Sequence, residues 1–235
     1  MVEADHEEGE RGAAAVADPA LQVAHALEED IVMGLLHPRE RLVEDELMAR
    51  FGVKRHVVRK ALAGLEKQGL VQHKKNSGAQ VRALSTKEVM DLYALRELLE
   101  GHCARLIPLP LRPGQLEQVE ALHREHMAAV RRKDGREVFR TNLAFHAALF
   151  ALCGNDALID AITEYARRSF LVRLSALMSP EPRNRAIDEH QQIIAALRSG
   201  DRKQLVSLFT QHLRPGRDSY IAALKELGRF EETTA

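Results

Sequence analysis

From Ser85 onward the hydrophobic pattern has a single period, near 3.6 residues, and Pro and Gly cut it into helix-length pieces. Ser85-Thr86-Lys87-Glu88 has the form of a capping box and opens a helix reaching about Leu106. Further helices fit 114–132, 135–152, 155–177, 184–198 and 201–226, separated by Pro108, Pro110, Pro113, Gly135, Gly154, Pro180, Pro182 and Gly200. Asn155 and Asp201 are suited to cap two of them. No segment after Ser85 alternates apolar and polar residues as a half-buried strand would, so this half reads as an all-helical bundle.

The N-terminal part reads differently. Residues 1–18 are acidic and small without period, as in a flexible tail. Asp18-Pro19 then starts a helix that Pro38 stops near Leu36. A second helix fits Glu44 to Phe51, Gly52 turns the chain, and a third fits Lys54 to Gln68. Two short strands, Leu70 to His73 and Ala79 to Arg82, flank the polar run Lys74-Lys75-Asn76-Ser77-Gly78 and make a β-hairpin. The expected organisation is a tail over 1–18, a small domain over 19–84, a helical domain over 85–228 and a tail over 229–235.

Charge separates the two halves. Lys plus Arg and Asp plus Glu both total 34, so the chain is formally neutral. Residues 50–82, however, hold nine basic residues and one acid, Glu66, a net +8, against −8 elsewhere (25 basic, 33 acidic). The longest apolar run, Ala147 to Cys153, is far short of the ~18 residues of a membrane span. The acidic N-terminus has no secretory h-region, and Cys103 and Cys153 make neither a disulfide scaffold nor a four-thiolate zinc site, so a reducing cytoplasm fits. Aromatic residues, at 4%, are too few for base-stacking platforms.

The basic patch lies on the third helix and the hairpin. Arg55 and Arg59 are four apart and leave one face, flanked by Lys54, His56 and Lys60, opposite Val57, Val58, Ala61, Leu62 and Leu65. In a helix-turn-helix the second helix of the pair enters the major groove N-terminal end first. That places Arg55 and Arg59 near guanine edges or phosphates, and Lys54 and Lys60 near phosphates. Lys74, Lys75, Asn76 and Gly78 sit at a hairpin tip thin enough for a minor groove. Double-stranded DNA is the expected partner.

On these residues the first half resembles the winged helix-turn-helix of the GntR family of bacterial transcription regulators. The resemblance rests on Gly34 to Leu42, Glu44-Asp45-Glu46-Leu47, Phe51 to Leu62, and Leu65 to Val71. Lys54, His56, Val57 and Lys60 stand where the family pattern has Ser, Thr, Pro and Glu, and Pro38-Arg39 where it has Pro-Gly. The second half resembles the FCD ligand-binding domain of the FadR subfamily through Asp91 to Glu100, Asn142 to His146, Cys153-Gly154-Asn155, Asp188-Glu189-His190, Ala196 to Asp201, and Gln211-His212-Leu213. The resemblance implies a homodimeric repressor facing a near-palindromic operator, controlled by a small carboxylate effector.

It also implies a divalent metal held by Asn142, His146, His190 and His212. Asn142 and His146 are i, i+4 on one helix face, and the two later His come from other helices of the bundle. Zinc is favoured by imidazole ligands, with nickel or manganese as alternatives. Arg96 and Arg173 are candidate partners for the effector's carboxylate, since guanidinium binds carboxylate bidentately; a surface or interhelical salt bridge is the competing role for each. His102, His123 and His126 read as surface or packing residues, and the two cysteines as packing. No nucleophile–base pair and no H-E-x-x-H word stands out, which speaks against an enzyme. A metal-dependent enzyme and a regulator with a metal-free pocket remain the alternatives.

Overall fold

The computed structural model describes residues 18–74, 77–172 and 180–233, the last stretch with side chains over 185–225. The acidic segment 1–17 therefore lies outside the described residues. The architecture is mainly α, with a winged helix-turn-helix followed by a helical bundle. The first half comprises α1 (Pro19–Val32), β1 (Arg41–Leu42), α2 (Glu44–Phe51), α3 (Arg55–Lys67), β2 (Val71–Lys74) and β3 (Gly78–Val81). The second comprises α4 (Thr86–Leu106), α5 (Gln115–Arg132), α6 (Gly135–Ala151), α7 (Asp156–Arg168), α8 (Pro180–Ser199), α9 (Arg202–Gln211) and α10 (Arg214–Thr233).

Local signals explain most boundaries. The Asp18 carboxylate accepts from the Ala20 amide at 3.0 Å, and Pro19 fills the first helical position. α1 ends at Val32 rather than near Leu36. Gly34 turns left-handed at φ +70°, and the amides of Leu35 and Leu36 both fold back onto the Asp30 carbonyl, a glycine-terminated stop that acts before Pro38. Gly52, at φ +64°, ends α2 in the same way and sets the turn into α3. Arg39 adopts φ +70°, a left-handed conformation rare for a residue other than glycine, and its amide donates to the Val81 carbonyl at 2.9 Å, tying this turn to the wing.

The wing is a three-stranded antiparallel sheet in the order β1-β3-β2, one strand more than the expected hairpin. The added strand is two residues long, Arg41 opposite Gln80 and Leu42 opposite Ala79, too short to carry a periodic signal. A single helix over 201–226 was expected; α9 and α10 occupy it instead. Pro215 has no amide to donate and its ring would clash with the carbonyl four residues back, so the helix breaks at His212 and Leu213. Pro180 and Pro182, expected as breakers, lie within the first turn of α8, where proline is tolerated. α7 stops at Arg168, short of the expected 177, and α10 runs to Thr233, past 228.

Two apolar cores result. One lies inside the bundle, where α5 packs on α6 and α8 and α4 packs on α7 and α9; it includes Ile107, Phe145, Leu149, Ile162 and Leu205. The other starts in the winged helix with Val23, Leu27, Leu62 and Leu65 and continues without a break into Phe139, Phe170, Leu213 and Tyr220 of the helical half. The Tyr220 hydroxyl donates to the Leu84 carbonyl at 3.2 Å, and Arg136 of α6 lies 3.8 Å from both Glu29 and Asp30 of α1.

The junction is also braced by the Ser85 capping box. The Glu88 carboxylate accepts from the Ser85 amide (2.9 Å), the Ser85 hydroxyl (2.8 Å) and Arg82 (2.6 Å). These bonds hold its pKa at about 2, with the Ser85 amide contributing most. Ser85→Ala should cost about 0.5–2 kcal/mol of stability, measured by urea unfolding. The Glu88 contribution is complete above its ordinary pKa of 4.5 and is lost as pH falls towards 2, so the cost of Ser85→Ala should shrink across that window without vanishing, because the Glu88 amide also donates to the Ser85 hydroxyl (3.3 Å) whatever the charge on the carboxylate.

Candidate functional site

α3 is strongly amphipathic. Val58, Ala61, Leu62 and Leu65 are buried, while Lys54, Arg55, His56, Arg59 and Lys60 are all exposed. Three of the exposed cations already hold partners. Arg59 Nε donates to both carboxylate oxygens of Glu44, at 2.9 and 3.1 Å, which raises its pKa. Arg55 bonds Asp45 and lies 3.6 Å from Glu44. Lys60 Nζ meets Asp18 at 2.7 Å. These surface pairs are weak and salt-labile, so a phosphate or guanine edge can take over either guanidinium at small cost. At the wing, Lys74 and Gly78 are exposed at the ends of β2 and β3, with Gly78 left-handed at φ +73°. Lys75 and Asn76 lie outside the described residues.

In the bundle, His146, His190 and His212 converge although 66 residues separate the first from the last. α6 points His146 inward from its Phe145–Leu149 face, α8 brings His190, and His212 caps α9 at the break before Pro215. One ring nitrogen from each lies within 4.8 Å of the others. The Nε2 atoms of His146 and His212 are 3.2 Å apart. Tetrahedral nitrogen ligands at ~2.0–2.1 Å from zinc would be separated by roughly 3.3 Å. Glu189 accepts from His212 Nδ1 at 2.5 Å, which places that proton on Nδ1 and turns the Nε2 lone pair towards the other two rings.

His190 is fully buried, and neither of its ring nitrogens has a hydrogen-bond partner among the described residues. Such an orphan costs about 1–3 kcal/mol. Burial, reinforced by His212 and His146, pushes its pKa well below the usual value, so the ring is neutral and keeps a lone pair. A buried, neutral, unpartnered imidazole beside two others fits a divalent cation. Asn142 is half-buried one helical turn before His146.

Two further histidines belong here that were read as surface or packing residues. His123 and His126 of α5 are buried, with rings 5.7 and 5.4 Å from that of His190. Burial lowers both pKa values, His126 to about 4, and His126 Nδ1 lies 3.1 Å from Thr141 Oγ1. Val119, His123 and His126 are spaced 4 and 3 residues apart on the apolar stripe of α5, a spacing that could have placed them inward. His102 is exposed.

Arg96 does not face the histidines as a free cation. It is buried, donating from Nε (3.0 Å) and Nη2 (2.7 Å) to Glu100 and from Nη1 (2.8 Å) to Ser169. Arg173 lies outside the described residues. Two cavities adjoin the histidines: one of about 360 Å³ reached by His146, and one of about 280 Å³ between α8 and α9 beside His212.

Comparison with known proteins places these features in a family. The family described as "Bacterial regulatory proteins, gntR family" matches residues 19–81, and the FCD domain matches residues 91–215. The chain is 28% identical over 193 residues to the HTH-type transcriptional repressor RspR of Escherichia coli, covering 82% of this chain and 85% of that one. It is 27% identical over 198 residues to the HTH-type transcriptional repressor GlaR of the same organism, covering 80% and 89%. Among solved structures, E. coli McbR/YncC superposes with a TM-score of 0.76 at 18% identity, over 89% of this chain and all of the other, a likeness of fold.

The Arg96–Glu100 pair makes a prediction of its own. Arg96→Ala leaves the Glu100 carboxylate buried without its cation, and should cost roughly 3–5 kcal/mol in chemical unfolding. Replacing both partners with apolar residues, Arg96→Met with Glu100→Leu, should restore most of that loss.

Proposed function

The chain belongs to the GntR family of bacterial regulatory proteins, with an FCD domain behind its DNA-binding half, and we propose that it is a homodimeric operator repressor controlled by a divalent metal and a small carboxylate. It is a DNA-binding transcription regulator, not an enzyme. The finer reading draws on RspR and GlaR being named as repressors. No described helix is long and apolar enough to cross a membrane, and a chromosomal regulator acts in the cytoplasm.

In this reading Arg55 and Arg59 give up Glu44 and Asp45 for guanine edges, while Lys54, His56 and Lys60 meet the flanking backbone. Lys74, Lys75, Asn76 and Gly78 carry the wing to the neighbouring groove. His146, His190 and His212 hold the metal, with Asn142 as the oxygen ligand and Glu189 fixing the His212 tautomer. Zinc suits three imidazoles best, ahead of nickel and manganese. A bound cation supplies a Lewis-acidic anchor for the effector's carboxylate. Arg173 is an anion partner; Arg96 could serve as one only by leaving Glu100. The observation that carries the metal reading is His190, buried and neutral, with neither nitrogen partnered among the described residues.

Two measurements test it. Elemental analysis of protein purified without an affinity tag should find about one divalent metal per chain, and His190→Ala should lose it; wild-type protein at well under one metal per several chains would remove the metal from the proposal. In operator titrations by fluorescence anisotropy, Arg59→Ala should lose about 1–3 kcal/mol of specific affinity, with unchanged thermal unfolding. Equal loss on operator and random DNA would demote Arg59 to a phosphate contact.

A further inference from the structure

Two nucleophilic side chains take no part in the DNA face or the histidine cluster. Cys103, on the inner face of α4, is fully buried, and Cys153, in the turn between α6 and α7, is half-buried against the same core. Both residues are held on one backbone oxygen. The Cys103 thiol donates to the Phe150 carbonyl at 3.7 Å, and the Cys153 amide donates to that carbonyl at 3.1 Å. The two thiols also meet each other, side chain to side chain, and both are free. Their surroundings differ. Burial, reinforced by the Cys153 thiol and then by Glu100, pushes the Cys103 thiol up, so it stays protonated and is a poor attacking group. Cys153 has the solvent access that Cys103 lacks. It also sits in a turn rather than a helix: Gly154 follows at φ +65°, and Asn155 caps α7.

We propose that Cys153 and Cys103 form a peroxide-reactive dithiol, in which Cys153 attacks a small hydroperoxide and Cys103 closes an intrachain disulfide between α4 and the α6–α7 turn. In the first step the Cys153 thiolate attacks the terminal hydroxyl oxygen. The O–O bond breaks, Cys153 becomes a sulfenic acid, and its thiol proton ends on the departing alkoxide or hydroxide. In the second step the Cys103 sulfur attacks the Cys153 sulfur. The S–O bond breaks, and the Cys103 proton leaves with the hydroxyl as water. The pair loses two electrons and two protons, which together reduce one hydroperoxide. Contact between the thiols offsets the low acidity of Cys103, since the reacting atoms are already side by side. The sulfurs must close to ~2.0 Å, and the turn carrying Cys153 yields more readily than buried α4. Half-burial of Cys153 selects the oxidant: a hydroperoxide is small enough to reach it, whereas glutathione disulfide meets the core packed around it. Such a bond in a reducing compartment is transient and redox-sensing rather than structural. It would join α4, which leaves the wing at the Ser85 cap, to the far end of α6, whose near end sets Arg136 over α1.

The test uses the full-length protein, reduced, freed of reductant and treated with a small excess of hydrogen peroxide. Titration after denaturation should find the two thiols of each chain fall to none. The intact mass should drop by two hydrogens, one peptide should carry both cysteines, non-reducing gels should show no crosslinked chains, and dithiothreitol should restore both thiols. Glutathione disulfide at the same concentration should leave the protein reduced over the same interval. Cys103→Ala should stop at the sulfenic acid, trapped on Cys153 as a dimedone adduct, and Cys153→Ser should leave the Cys103 thiol unmodified. The wild-type mass and thiol count decide the outcome even where Cys103→Ala does not fold. The assignment fails if wild type keeps both thiols, if Cys153 advances to sulfinic acid while Cys103 stays free, or if the bond forms between chains. A disulfide formed as readily by glutathione disulfide would overturn the choice of a hydroperoxide as the oxidant.

Discussion

Phe139 and Phe170 belong to the helical half, yet they pack into the same apolar cluster as Leu27 and Leu65 of the winged helix. That shared core is the constraint on which the remaining geometry depends. A DNA-binding head joined only by residues 82–85 could swing freely, and most contacts between domains of one chain are polar enough to allow it. Here the contact is a core, closed by Leu213 and Tyr220 on the far side and by Arg136 over Glu29 and Asp30. Separating the halves would expose several large side chains, each worth ~1.5–3 kcal/mol on burial. The docked arrangement is therefore a defined state.

The same packing explains the histidines. Five imidazoles in one bundle core would be untenable if charged, and burial keeps His123, His126 and His190 neutral instead. Neutrality solves the electrostatic problem and leaves a hydrogen-bonding one. Thr141 serves His126 and Glu189 serves His212, but the nitrogens of His123 and His190 have nothing among the described residues. An apolar core would not retain such residues for packing alone, because each unpaired nitrogen costs stability that a leucine would not. A divalent cation at the proposed site would remove the cost at His190, whose ring lies 5.7 Å from that of His123.

Much of this was legible in the sequence, and the failures have physical causes. Helix starts were readable because caps are local: Asp18, Ser85, Asn155 and Asp201 all accept from the predicted backbone amides. Helix ends were not, where a stop competed with continued periodicity. Gly34 ended α1 ahead of Pro38, and Pro215 divided the last helix at a place where the apolar spacing gave no warning. β1 was missed because two residues carry no period. Of the candidate ligands, His146, His190 and His212 converge. His123 and His126 were read as surface or packing residues, and their spacing on the apolar stripe of α5 decides for the interior. Arg96 could be recognised as important but not assigned: only the fold reveals that Glu100, one turn away on the same helix, already occupies it.

The neutral overall charge conceals a further device. The two recognition-helix arginines of the +8 segment are not bare, because Glu44 and Asp45 at the start of α2 hold Arg59 and Arg55 across the turn. Those acids also sit in the first turn of α2, where negative charge complements the helix dipole, so they stabilise the fold whether or not DNA is bound. On DNA they become a source of repulsion beside the phosphates. A guanidinium that leaves Glu44 for a random phosphate gains little, since one exposed anion replaces another while the Glu44 charge is left facing the backbone. A bidentate contact to a guanine edge adds geometry that the carboxylate pair does not match. In the proposed docking the acids would therefore lower non-specific affinity more than specific affinity.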